Sequence, residues 1–155
     1  MQFDLDLERI EKAAQNKFEE NRMFFEYLKT QDSAAIDKMV HQINDCVSTE
    51  IKCVECGNCC HHIRPAASEQ DLIVFVEPEQ VQKVMYEPSI QCMHQKDKKC
   101  MIYLVRPQVC RSFPYLHLDG FVERSSGMIQ NTEICPIVYY VLEELKNELS
   151  WTYNK

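Results

Sequence analysis

Glycine is scarce in this 155-residue chain, with only three in all. The scarcity excludes the glycine-rich loops that cradle nucleotide phosphates. It also leaves little flexible punctuation, and neither internal repeats nor low-complexity linkers interrupt the chain. One domain is therefore expected, at a length where folding buries roughly two-thirds of the unfolded surface. Positive charge is short as well, since 17 Lys and Arg stand against 24 Asp and Glu for a net charge of -7. A protein that neutralises phosphates concentrates Lys and Arg on one face. The longest basic stretch here, Lys96-Asp97-Lys98-Lys99, contains an acid and reads as a solvated turn, so no nucleic-acid partner is expected.

Long apolar runs are missing too. Leu72 to Val76 and Ile137 to Leu142 fall far below the roughly 20 residues that cross a bilayer, and no membrane partner is expected. The opening MQFDLDLERIEK carries acids where a secretory signal has a basic region and then an apolar run. It predicts a cytoplasmic protein. Neither a nucleophile elbow nor an HExxH pair is present, and Glu69 and Asp71 are accounted for as helix-start residues.

Cysteine, by contrast, is abundant. Nine occur, four of them within the eight residues CVECGNCC from Cys53 to Cys60. Cytosolic reductants keep thiols reduced, so this density points to metal rather than to disulfides. Cys53, Cys56 and Cys59 repeat every three residues, and a two-residue gap lets a turn bring successive thiolates to one metal centre. Gly57 suits such a turn. Cys60 adjoins Cys59, and neighbouring side chains point apart, so the pair more readily serves two centres, or has one thiol on a centre and the other beside it, than binds a single ion together. Cys92, Cys100, Cys110 and Cys135 come later in the chain, making eight thiols and enough for two four-thiolate sites. Cys46 is set aside as a small hydrophobe on or beside a helix stripe. His61 and His62 offer imidazoles that suit zinc and iron, but two adjacent histidines do not easily face one ion, and the cysteines already suffice. His94 and His117 fall in expected hairpins.

The periodicity predicts a mainly helical α+β fold. Leu7, Ile10, Ala14, Phe18, Phe25 and Leu28 recur at helical spacing over residues 4–29. A second helix capped by Asp32 or Ser33 carries Ile36, Val40, Ile43 and Val47. With the short connection Thr30 to Asp32, the two predict an antiparallel helical hairpin over 1–49. A cysteine-rich, metal-organised, irregular centre comes next, over 50–136. It includes a short helix from Ser68 through Leu72, Ile73 and Phe75, another from Glu79 to Tyr86, and a small hairpin over Cys92 to Tyr103 with a polar tip at Gln95 to Lys99. A second hairpin is expected over Tyr115 to Val122, because Asp119-Gly120 suits a type I′ turn. The last helix, over 137–155, opens at Cys135-Pro136 and shows Ile137, Val141, Leu145 and Leu149 as its stripe.

The cluster CVECGNCC, then Cys100, Ile102-Tyr103, Arg106-Pro107, Cys110-Arg111 and Phe113-Pro114, then Cys135-Pro136 resembles the family of zinc- or iron-chelating proteins with a CxxCxxCC motif. Cys92 takes the place of the cysteine that usually precedes this run. The resemblance covers roughly residues 50–136 and implies metal ligation by these cysteines. A related module in flagellin lysine methylases is associated with an iron-sulfur cluster, which tilts the expectation toward iron, a 4Fe–4S cluster, with zinc, in its place or alongside it, as the other candidate. Arg106 and Arg111 flank Cys110, and guanidinium groups there are expected to donate to thiolates or cluster sulfides and offset their charge. Two other readings stay open: an enzyme or enzyme accessory that uses the cluster for redox or group transfer, and a metal-organised module that binds a protein partner.

Overall fold

The computed structural model describes residues 3–62, 69–73, 77–86 and 92–153. Among them the chain is mainly helical: α1 (Leu7–Asn16), α2 (Phe18–Leu28), α3 (Ser33–Glu50), α4 (Cys53–Cys56), α5 (Asn58–His62), α6 (Glu69–Leu72), α7 (Val81–Tyr86), strands β1 (Gln95–Lys96) and β2 (Lys99–Cys100), then α8 (Gln108–Ser112), α9 (Ser125–Asn131) and α10 (Pro136–Glu148). No described helix is long and apolar enough to cross a membrane. The chain divides into two compact units, residues 1–51 with 114–155, and residues 52–113.

The first unit is a helical body with a conventional apolar core. Asp6 caps α1 by accepting from the Arg9 amide at 3.1 Å, and Asp32 caps α3 by accepting from the Ala35 amide at 2.7 Å. Each carboxylate satisfies an amide that the first helical turn leaves unpaired. The continuous helix expected over 4–29 pauses at Lys17, whose amide is shared between the carbonyls of Ala13 and Ala14 and whose φ and ψ are -95° and 8°. The pause turns Phe18 out into solvent while Phe24, Phe25 and Leu28 are buried. The stripe of α3, with Ile36, Val40 and Val47 buried, packs most extensively on α10. The stripe expected to face the preceding helix is therefore turned mainly to the last one. On α10, Ile137, Val141 and Leu145 are buried, as the spacing predicts, and Pro136 occupies the first turn, where no amide is needed. Phe24 lies 4.9 Å from Trp151 and Phe25 lies 5.3 Å from Phe121, ring centre to ring centre, within the range of favourable aromatic pairs.

One buried cation sits in this core. Lys146 Nζ lies 2.7 Å from each of Glu20 Oε1, Asn21 Oδ1 and Glu143 Oε1, and Lys17 pairs with the other oxygen of Glu143. Three oxygens therefore match the three ammonium donors, which is the condition for burying the charge without a large penalty.

The hairpin expected over Tyr115 to Val122 does not form. Its region is a run of turns that leads through a short 3-10 turn, Val122–Arg124, into α9. The reason lies far away in sequence. Asp37, buried on α3, accepts from the Gly120 and Phe121 amides at 2.9 Å each. Arg124 donates to the carbonyls of Tyr115, Leu118, Asp119 and Gly120. Side chains have taken the backbone groups a strand ladder would have used. Gly120 does adopt a positive φ of 77°, but in a turn that a remote carboxylate caps.

Candidate metal centre

Seven of the nine cysteines belong to the second unit, and local backbone chemistry sets them in place. At α4 the Glu55 and Cys56 amides both reach the Lys52 carbonyl, and the Gly57 amide reaches the Cys53 carbonyl. This one turn puts Cys53 and Cys56 on one face, three residues apart. Gly57 ends the turn in the left-handed region at φ 58°, and α5 restarts with Cys59 and Cys60. Across the sequence, the Cys92 amide donates to the Cys60 carbonyl at 3.0 Å, so the two halves of the pattern meet through backbone. Cys92 leads into the expected hairpin. Gln95 stands opposite Cys100 and Lys96 opposite Lys99, with Asp97 and Lys98 at φ 50° and 64° in the tip, the two positive angles of a type I′ turn. Cys110 rides on α8, whose first turn is closed by the Cys110 and Arg111 amides on the Pro107 carbonyl.

The unit has little apolar core of its own. Among its described residues only Leu72 and Val81 are buried hydrophobics, and the partly buried Cys92, Val109 and Cys110 pack against them. Two of the thiols are thus part of the small core they border. The short helices bearing Leu72 and Val81 fall where the sequence places them, whereas Ser68 and Phe75, expected in the first, lie outside the described residues.

The thiols feel one another. A hydrogen bond with the Cys59 side chain brings Cys60 down to about 7 against the opposing effect of burial, with the Arg106 cation assisting. Burial pushes Cys110 up to about 12, and the neighbouring Cys60, Cys92 and Cys100 add to the rise. Burial likewise raises Cys53, with Cys56 and Cys60 contributing, although Cys53 keeps much of its surface in water. Cys56 is raised by burial and by Cys60, and Cys92 by burial, Cys60 and Cys100. Cys60 is common to every one of these neighbourhoods. Negative charge on several of these sulfurs at once is unfavourable unless a cation joins them. A metal ion is such a cation, and its binding displaces the thiol protons.

In kind, the donor set suits zinc or an iron-sulfur cluster, both of which take thiolates. In position the thiols are neighbours rather than a closed coordination sphere. Among the described residues, no three His, Cys, Asp or Glu side chains are grouped closely enough to hold one ion.

Both arginines beside Cys110 are held by backbone carbonyls. Arg106 stacks 3.7 Å above the Tyr103 ring and donates from Nη1 to the Tyr103 carbonyl at 2.7 Å, and its charge opposes the rise at Cys53 and Cys110. Arg111 uses its guanidinium on backbone, donating to the carbonyls of Arg106 at 2.9 Å and Leu104 at 3.4 Å, so it braces the loop that carries Arg106. His61 is exposed, and the His62 side chain lies outside the described residues. His94 is half-buried near the hairpin, whereas His117 is exposed in the first unit. Cys135 also belongs to the first unit, buried at the start of α10 with its amide on the Asn131 carbonyl at 2.8 Å. Cys46 is exposed on α3 rather than buried in its stripe, because the neighbouring Val47 takes the inward position. Two residues beside the thiols carried no signal in the sequence: Lys98, whose charge acts on Cys56, and Gln95, whose side chain reaches Gly57.

A family model described as "CxxCxxCC: Putative zinc- or iron-chelating domain" matches residues 52–136. Neither the curated proteins nor the solved structures give a match.

Proposed function

This chain belongs to the CxxCxxCC family, and from that premise we propose that the thiols of its second unit hold an iron-sulfur cluster, with zinc as the rival occupant, in a cytoplasmic protein. The ligands are drawn from Cys53, Cys56, Cys59, Cys60, Cys92, Cys100 and Cys110. The observation that carries the reading is the bond from the Cys92 amide to the Cys60 carbonyl at 3.0 Å, which brings the two halves of the cysteine pattern together. A bound cluster supplies electron transfer or Lewis acidity, whereas a four-thiolate zinc, with no open position, supplies structure alone. The chain's own contribution is clearer. α4, α5 and the hairpin present the sulfurs, the Gly57 turn spaces Cys56 from Cys59, and Arg106 places a fixed positive charge beside sulfurs that become negative on ligation. Partial neutralisation of this sort favours a centre of several thiolates.

Protein purified without oxygen is expected to contain tightly held iron with acid-labile sulfide and a visible absorption band. Zinc without sulfide would transfer the reading to its rival. A metal-free, colourless protein that is nevertheless fully folded would end both.

A further inference from the structure

Among the described residues, hydrogen bonds that involve no thiol join the halves of the cysteine pattern. One is the backbone bond from Cys92 to Cys60, and another runs from Gln95 Nε2 to the Gly57 carbonyl at 2.6 Å. Around Gly57 the fit is close. A Cβ there would lie 1.9 Å from the Lys98 carbonyl oxygen and 2.7 Å from Gln95 Nε2, and the φ of 58° is already in the region that favours glycine. The tip of the hairpin therefore rests directly on the turn that separates Cys56 from Cys59, and Gln95 is the side chain that grips it. Its backbone is tied to the thiols of the hairpin as well, with its amide on the Cys92 carbonyl at 3.0 Å and Cys100 opposite it in the ladder.

The other end of the Gln95 amide is unusual. Oε1 is buried and has no hydrogen-bond partner among the described residues. An unpaired buried oxygen costs stability, so as mere filling this side chain is inferior to methionine, which has the same length and no polar group to bury. The Nε2 bond is the interaction that glutamine adds at this position.

Resting on the metal-centre reading, we propose that Gln95 is a positioning residue of the centre. It makes no bond to metal, but by holding the Gly57 carbonyl it fixes the distance between the ligands of the CVECGNCC turn and those of the hairpin. Because the second unit has little apolar core of its own and is ordered by its metal, the bond is made in the loaded form and should show itself in metal retention rather than in the stability of the empty protein.

The test compares the full-length wild type with Gln95→Met, both reduced and metal-free, then loaded with cobalt(II) alone. The variant should melt no lower than the wild type when empty, since the unit that carries Gln95 is then without the metal that orders it. When loaded it should release cobalt to a chelator about tenfold faster, within the 10–100-fold cost of losing an outer-shell partner, and its thiolate-to-cobalt absorption should change shape. A release rate and spectrum equal to the wild type would overturn the assignment. So would an empty variant that melts lower or fails to fold, because the bond would then be a prop of the fold. A wild type that takes up no cobalt, zinc or iron would instead bring down the metal-centre reading itself, before the variant is considered.

Discussion

Removing metal from the reduced holoprotein should abolish amide protection across residues 52–113 while the helices that carry Ile10, Phe24 and Val141 stay protected. The asymmetry arises from where apolar surface is buried. The first unit packs Phe24, Phe25, Leu28, Phe121, Val141 and Leu145 into a shared core, whereas the second shows only Leu72 and Val81 buried among its described residues. At about 1.5–3 kcal/mol for each fully buried side chain, two such residues cannot offset the ordering of a segment this long, which costs about 1–2 kcal/mol for each backbone residue fixed. Structural thiolate sites contribute on the order of 10 kcal/mol of apparent binding energy at neutral pH. Protection in the second unit should therefore fall by about three orders of magnitude or more, since each 1.4 kcal/mol is a factor of ten. Hydrogen exchange on the two forms measures this. Equal protection across 52–113 with and without metal would mean that the metal is an addition to a fold already complete.

The second large effect is expected at Cys60. Its sulfur is the neighbour common to Cys53, Cys56, Cys92 and Cys110, so Cys60→Ala removes the thiol through which both halves of the pattern communicate. Metal affinity should fall by at least about a hundredfold, the upper end of the cost of losing a mere outer-shell partner. Cys46→Ala is the control, because Cys46 is exposed on α3 in the other unit. Competition with a chelator of known affinity reads both. If Cys46→Ala weakened binding as much as Cys60→Ala, the division of the cysteines would be wrong.

Those features of the fold that depend on near neighbours were legible in the sequence. Asp32 and Pro136 mark helix starts because capping needs only the first turn, and the hairpin between Cys92 and Cys100 shows itself in a polar tip flanked by cysteines. The features that escaped depend on distant partners. The Asp119-Gly120 turn resembles a hairpin turn until Asp37, 83 residues earlier, takes the Gly120 amide. The pause at Lys17 interrupts a helix whose spacing reads as continuous, and Cys46 faces outward because helical phase a single position from a buried residue is not fixed by composition. At the candidate centre the cysteines were legible from their spacing, and so was the value of Gly57 to the turn. Gln95 was not, since one glutamine in a polar hairpin carries no sign that its amide will reach a carbonyl 38 positions away. Nor does spacing report that Arg106 stacks on the Tyr103 ring while Arg111 donates to the carbonyls of Arg106 and Leu104.

In the proposed centre sulfur alone, from the thiols of residues 52–113, holds the metal. X-ray absorption at the edge of whichever metal accompanies the anaerobic protein tests it most directly. An inner shell of sulfur at about 2.3 Å is expected, with no light-atom contribution, unchanged in Cys46→Ala and depleted in Cys60→Ala. An inner shell dominated by nitrogen or oxygen at about 2.0–2.2 Å would contradict it and would move the ligands from the cysteines to histidines and carboxylates.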